Sequence, residues 1–96
     1  MTAARAMVLW AALLGACAPT IHAPGEAIQN PILSGNGVHT ADGQILPLKT
    51  WAPDKGAPKA VIIALHGFND YSNFFAAPGA YLSKHGVQSY AYDQRG

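Results

Sequence analysis

The chain has 96 residues, room for one small domain, with half of its residues apolar, 11% charged and a formal net charge of +1. That balance excludes a highly charged disordered chain. Lys and Arg are scattered without a basic stripe, so no nucleic-acid partner is expected, and a single cysteine, Cys17, excludes an internal disulfide.

The N-terminus reads as a targeting segment. Arg5 supplies a positive start, and Ala6-Met-Val-Leu-Trp-Ala-Ala-Leu-Leu-Gly-Ala16 follows as a short apolar run. A spanning helix needs about 20 apolar residues, and this run is much shorter. It fits the apolar core of a signal peptide better than an uncleaved membrane anchor. The run closes on Leu14-Gly15-Ala16-Cys17, which resembles the lipobox of bacterial lipoproteins, where the cysteine is acylated and becomes the new N-terminus. Residues 1–17 are then signal peptide and lipobox, and the mature protein is exported to the bacterial cell envelope and lipid-anchored to a membrane through Cys17. Several acyl chains on one residue hold a protein firmly at a bilayer. Ordinary cleavage at the small-x-small site Ala16-Cys17-Ala18 is the alternative and gives a periplasmic or secreted protein. Pro19 beside that cut counts against it. Cys17 has no histidine near it in sequence and nothing to depress its pKa, so a catalytic thiol is not expected.

Residues 18–36 are rich in Pro, Gly and Asn and carry no helical or strand period, so they read as a flexible tether. The folded part is expected over residues 37–96. Val38-His-Thr40, the turn Ala41-Asp42-Gly43-Gln44, and Ile45-Leu-Pro-Leu-Lys-Thr-Trp51 predict a β-hairpin, because Asp-Gly accepts the backbone geometry of a tight turn. Pro47 cannot donate to a ladder and predicts an edge or a bulge. Pro53-Asp-Lys-Gly-Ala-Pro58 is the next loop. Ala60-Val-Ile-Ile-Ala-Leu65 is continuously apolar, the pattern of a strand in a parallel sheet buried on both faces.

The turn His66-Gly67-Phe68-Asn69-Asp70 follows that strand directly. Ser72 or Asp70 can cap a helix starting near Asn73, whose apolar face would come from Phe74, Phe75, Tyr81 and Leu82. Pro78-Gly79 predicts a break or kink, and Gly86 after Lys84-His85 predicts the stop. Val87-Gln-Ser-Tyr-Ala-Tyr92 is the next strand, and Asp93-Gln-Arg-Gly96 is the loop at its carboxyl end. The order is hairpin, strand, helix, strand, which is an α/β arrangement.

Three segments carry a family resemblance: Ala-Leu-His-Gly-Phe-Asn-Asp at 64–70, Tyr-Leu-Ser-Lys-His-Gly at 81–86, and Tyr-Ala-Tyr-Asp-Gln-Arg-Gly at 90–96. Together they resemble the N-terminal part of an α/β-hydrolase fold, closest to the lysophospholipase and monoacylglycerol-lipase-like group, also called the serine aminopeptidase S33 group. The resemblance covers roughly residues 38–96 and implies an incomplete sheet. It also implies a mechanism. A serine on a Gly-x-Ser-x-Gly elbow attacks an ester carbonyl, a histidine takes its proton, and an aspartate orients the histidine. Two backbone amides hold the oxyanion, and the resemblance gives one of them to Phe68, with His66 and Gly67 setting the loop geometry. Losing one such donor typically costs about 2.7–4 kcal/mol of transition-state stabilisation. Epoxide hydrolases and haloalkane dehalogenases usually carry His-Gly-x-Pro; Asn69 in that place argues against them and tolerates left-handed geometry.

The resemblance thus implies a serine hydrolase of lipid-like carboxylic esters that needs no cofactor. The catalytic triad is missing from the chain. None of Ser34, Ser72, Ser83 and Ser89 has glycine two before and two after. The chain is therefore expected to contribute the oxyanion-hole loop of a longer parent enzyme and to be inactive alone. A non-catalytic, membrane-tethered remnant or interaction module is the alternative. The ring of His66 is expected to shape its own turn, and Asp93 and Arg95 to pair with each other. Tyr71, beside the loop, is the best-placed aromatic for a substrate pocket; Phe74 and Phe75 read as packing. His22, His39, His66 and His85 show no metal-ligand spacing, and no metal site is expected. The strand at 61–65 should present a bare apolar edge, so the isolated chain should be unstable or associate.

Overall fold

The computed structural model describes residues 22–96, together with Ala3 and Thr20. The apolar N-terminal run, Cys17 and the lipobox reading fall outside the described residues. Among those described, no helix is long and apolar enough to cross a membrane.

The strands are β1 (Ile32–Ser34), β2 (Gly37–His39), β3 (Ile45–Trp51), β4 (Ala60–Ala64) and β5 (Val87–Tyr92). A 3-10 turn (Ser72–Phe75) runs into helix α1 (Ala76–Ser83) between β4 and β5. The strands form one mixed sheet in the order β1-β2-β3-β5-β4. The β1–β2, β2–β3 and β3–β5 pairs are antiparallel, and β4–β5 is parallel. A parallel pair needs a crossover connection, and α1 provides it.

The hairpin closes where Asp-Gly predicts it. Thr40 N–H donates to the Gln44 carbonyl at 2.8 Å, Gly43 N–H donates to the Thr40 carbonyl at 3.0 Å, and Gly43 takes a φ of +84°. Pro47 departs from its expected place, since β3 is an interior strand. The strand changes partners there: residues 45–47 pair with β2, and residues 48–51 pair with β5. Proline falls at the switch, where a missing N–H is tolerated, and its carbonyl accepts the Asp93 N–H at 2.9 Å.

The segment at 18–36 also differs from a plain tether. Residues 32–34 form β1, exposed but paired to β2 through the two-residue connection Gly35-Asn36. Upstream, Ile28 and Gln29 N–H both donate to the Ala41 carbonyl, at 2.8 and 3.1 Å, and Gly25 N–H donates to Asp42 Oδ2 at 2.8 Å. Hydrogen bonds to the hairpin, rather than apolar burial, hold this stretch in place.

The helix enters by a 3-10 turn with Tyr71 at its start and no side-chain cap, and turns α-helical at Ala76. Pro78 lies in the first turn of α1, where N–H groups have no intrahelical acceptor, so it does not break the helix. Gly79 is buried against Trp51, and a Cβ there would strike the indole ring. Phe75 packs edge-on to Trp51 with ring centroids 6.0 Å apart. Tyr81 points away from the sheet and stacks on His85 instead, with ring centroids 4.4 Å apart. Gly86 ends the helical segment with a φ of +78°.

The core is small: Leu48, Ala64, Val87 and Ala91 are its buried apolar residues, and Ser89 is fully buried among them. Residues in register across strands share a face. Trp51, Ile62, Ala64, Ser89 and Ala91 lie on the face that α1 covers. Leu48, Val61, Ile63, Tyr90 and Tyr92 lie on the other, which no described helix covers. So β4 is not buried on both faces. It is the outer strand, with Val61 and Ile63 exposed on the uncovered face and Leu65 exposed just beyond its end. The continuous apolar run therefore leaves apolar side chains exposed on that face.

Candidate active site

The loops after β4 and β5 lie side by side at the carboxyl ends of two parallel strands, where open α/β sheets place their sites. Residues 66–70 and 94–96 line an open groove of ≈ 490 Å³. The turn at 67–70 is closed by the Asp70 N–H donating to the Gly67 carbonyl at 3.2 Å. Asn69 is the only non-glycine with positive φ among the described residues, at +59°. Phe68 stands almost wholly in solvent, 97% exposed, and its N–H finds no acceptor among the described residues. The Gly67 Cα faces open space.

His66 is committed on both ring nitrogens. The Gln94 backbone N–H donates to Nε2 at 2.8 Å, so Nε2 is the acceptor and Nδ1 carries the hydrogen. Nδ1 donates to the Gly67 carbonyl at 2.9 Å. The Gln94 side-chain amide in turn donates to the His66 carbonyl at 2.6 Å. The ring thus ties the β4 loop to the β5 loop and has no free nitrogen to accept a proton from a substrate or a serine.

Asp93 and Arg95 do not pair with each other. Asp93 Oδ1 accepts the Ser72 N–H at 2.8 Å, at the head of the 3-10 turn. Hydrogen bonds from the Ser72 hydroxyl and amide hold the Asp93 carboxyl below its ordinary pKa. Arg95 reaches across to the hairpin: Nη1 lies 2.6 Å from Asp42 Oδ2, and Nη2 2.7 Å from Oδ1. The Arg95 guanidinium, the Thr40 hydroxyl and the Gly25 amide together hold the Asp42 carboxyl far below the usual carboxylate range. The 3-10 turn takes Asp93 and the hairpin takes Arg95, so the two side chains are held apart by different partners. Asp42, read from sequence only as a turn residue, is the partner that was missed; a contact across that much chain leaves no local signal.

Tyr71 lies outside the groove lining and is half exposed, its N–H donating to Asp70 Oδ1 at 2.9 Å. None of the serines faces the groove. Ser72 and Ser89 are buried, and Ser83 donates to the Ala80 carbonyl at 2.8 Å. Ser34 Oγ lies 2.8 Å from His39 Nε2, out on the hairpin, and among the described residues no carboxylate is hydrogen-bonded to that histidine. Among the described residues no cluster of His, Cys, Asp and Glu could hold a metal ion.

Residues 60–92 thus run as a strand, a turn whose tip amide has no acceptor among the described residues, a crossover helix and a parallel strand. Residues 56–96, which contain that segment, match the family model of the serine aminopeptidases, S33, within the α/β-hydrolase superfamily. The match points to a hydrolase. No curated protein matches the chain.

Proposed function

We propose that this chain supplies the oxyanion-hole loop of a serine hydrolase that cleaves lipid-like carboxylic esters. The observation that carries the reading is the Phe68 N–H, without an acceptor among the described residues, at the tip of a fixed turn at the carboxyl end of β4. A catalytic amide must be free of other acceptors and held rigidly before the oxyanion forms, since a preorganised donor costs no reorganisation during the reaction. The two hydrogen bonds to His66 and the left-handed Asn69 supply that rigidity. Tyr71 adds an aromatic wall beside the loop once a substrate and an acyl pocket are in place. The nucleophile, its base and its acid belong to a longer parent protein, tethered to a membrane through acylated Cys17. An anchor of that kind keeps the site at the surface where lipid-like esters are found. A second reading is a tethered, non-catalytic module, favoured by the lack of a Gly-x-Ser-x-Gly run in these 96 residues.

The test is labelling of the complete gene product with a serine-directed fluorophosphonate, alongside hydrolysis of p-nitrophenyl esters of increasing acyl length. Labelling at an elbow serine together with ester turnover supports the enzyme. A complete product that neither labels nor hydrolyses esters leaves the tethered module.

A further inference from the structure

Residues 93–95 each leave the end of β5 for a different element: Asp93 for the 3-10 turn, Gln94 for the β4 loop, Arg95 for the hairpin. Gln94 differs from its neighbours in touching the candidate loop directly, and it does so twice. Its backbone N–H donates to His66 Nε2, and its side-chain amide donates to the His66 carbonyl. The first contact selects the ring tautomer, because a nitrogen that accepts a hydrogen bond leaves the proton on the other one. That proton then goes to the Gly67 carbonyl. The second contact holds the other end of the same residue, on the peptide joining His66 to Gly67.

The carbonyl of Gly67 and the N–H of Phe68 belong to one planar peptide group. Fixing the carbonyl on His66 Nδ1 therefore fixes the direction of the amide. The Asp70 N–H also donates to that carbonyl, from the far side of the turn. We propose that Gln94 is a positioning residue for the Phe68 amide, acting through His66; this rests on the oxyanion-loop reading of Phe68 given above. The required property of the side chain is a donor at the reach of the Gln94 amide. Bulk and charge are secondary.

Isosteric Gln94→Glu removes the donor and keeps the shape, whereas Gln94→Lys keeps a donor at similar reach. The experiment is hydrogen exchange at the Asp70 amide, which donates to the Gly67 carbonyl, in the whole 96-residue chain, with the His66 Nδ1–H followed by long-range proton–nitrogen correlation of the ring. In Gln94→Glu, exchange at Asp70 is expected to rise about tenfold and the His66 Nδ1–H to exchange faster with solvent, while the tautomer itself stays, because the backbone N–H of residue 94 selects it. In Gln94→Lys both readouts should stay near the unsubstituted chain, and the Ala91 amide inside β5 should be unchanged in either variant. Exchange at Asp70 and at the His66 Nδ1–H as in the unsubstituted chain for Gln94→Glu would overturn the proposal, as would equal loosening in both variants or loosening that extends to Ala91. None of these readouts involves ester turnover, so the proposal can fail while the hydrolase reading stands. Equally, an inactive complete product leaves the exchange result intact.

Discussion

Arg95 and Asp42 meet across 53 residues of chain in a bidentate pair, each guanidinium nitrogen taking its own carboxylate oxygen at 2.6 and 2.7 Å. The same carboxylate accepts the Thr40 hydroxyl and the Gly25 N–H. One side chain therefore gathers the N-terminal stretch, the hairpin turn and the loop at the end of β5. A planar fork on a carboxylate is the geometry that arginine provides and lysine cannot.

The pair gives the fold a pH dependence whose sign is fixed. Asp42 is held below its ordinary pKa by Arg95 first, then Thr40 and Gly25. A depressed carboxylate adds stability that is fully present above its unfolded value, near 3.9, and is lost as pH falls toward the folded value. Asp42→Asn should lower the thermal midpoint at pH 7 and flatten its decline below about pH 4. Melting curves from pH 7 down to pH 2 test this; parallel curves for variant and parent would show that the pair contributes no linkage.

Gly79 sits where a side chain has no room. Alanine would favour the helix by about 0.8–1 kcal/mol on propensity alone. Its Cβ, however, would meet the fused rings of Trp51, which cannot swing aside as a flexible chain end could. Overpacking of this kind costs about 1–3 kcal/mol, so the clash should win. Gly79→Ala is expected to lower the urea midpoint, and a raised midpoint would mean that α1 can lift from the sheet without cost.

Ser89 presents the opposite case. Its side chain is fully buried between β3 and β4, and its hydroxyl has no hydrogen-bond partner among the described residues. An unsatisfied buried polar group costs about 1–3 kcal/mol. Ser89→Ala removes the hydroxyl at nearly the same volume and should raise stability by about 1–2 kcal/mol, read from chemical denaturation. A loss of stability would show that the hydroxyl is bonded in solution.

Local signals made much of this fold legible. Asp42-Gly43 marked the hairpin, the apolar run at 60–65 marked β4, Gly86 marked the helix stop, and Asn69 was a residue able to take the left-handed turn that it adopts. The strand β1 was obscured by the Pro- and Gly-rich stretch around it, although Ser34 and Gly37 flank a two-residue Gly-Asn connection, a recognised hairpin signal. The partners of Asp93, Gln94 and Arg95 were not legible, because sequence shows which groups can bond but not which elements a strand end brings within reach. The exposed face of β4 was missed for a related reason. Periodicity reports how much burial a strand needs, and the described sheet covers only one side of it.

Asn69 offers a test of the candidate loop itself. Its φ of +59° suits asparagine and glycine and disfavours other side chains. Asn69→Gly should leave the loop intact. Asn69→Val places a branched Cβ in the left-handed region, and Asn69→Pro forces φ near −65°, which this turn cannot use. Valine should cost about 1–2 kcal/mol, with proline worse, both read as a lower thermal midpoint and as shifted backbone resonances at residues 66–70. Unperturbed resonances in Asn69→Pro would mean that the turn tolerates a second geometry.

The outer edge of β4 makes the last prediction. Its backbone groups on the side away from β5 pair with no described strand, and Val61 and Ile63 are 59% and 68% exposed on an apolar face continuous with Leu33, Val38 and Leu48. No charged residue lies within the strand to oppose pairing with another chain. An edge of this length and composition recruits other strands, and a lysine placed on it is the common natural defence. The 96-residue chain should therefore self-associate as its concentration rises and bind an apolar dye such as ANS. Ile63→Lys should reduce both, because its charge would have to be desolvated on pairing, while β4–β5 hydrogen bonding inside the sheet is untouched. Light scattering after size exclusion, over a concentration series, separates the outcomes. A parent chain that stays monomeric throughout, or an Ile63→Lys chain that associates equally, would place the sticky surface elsewhere.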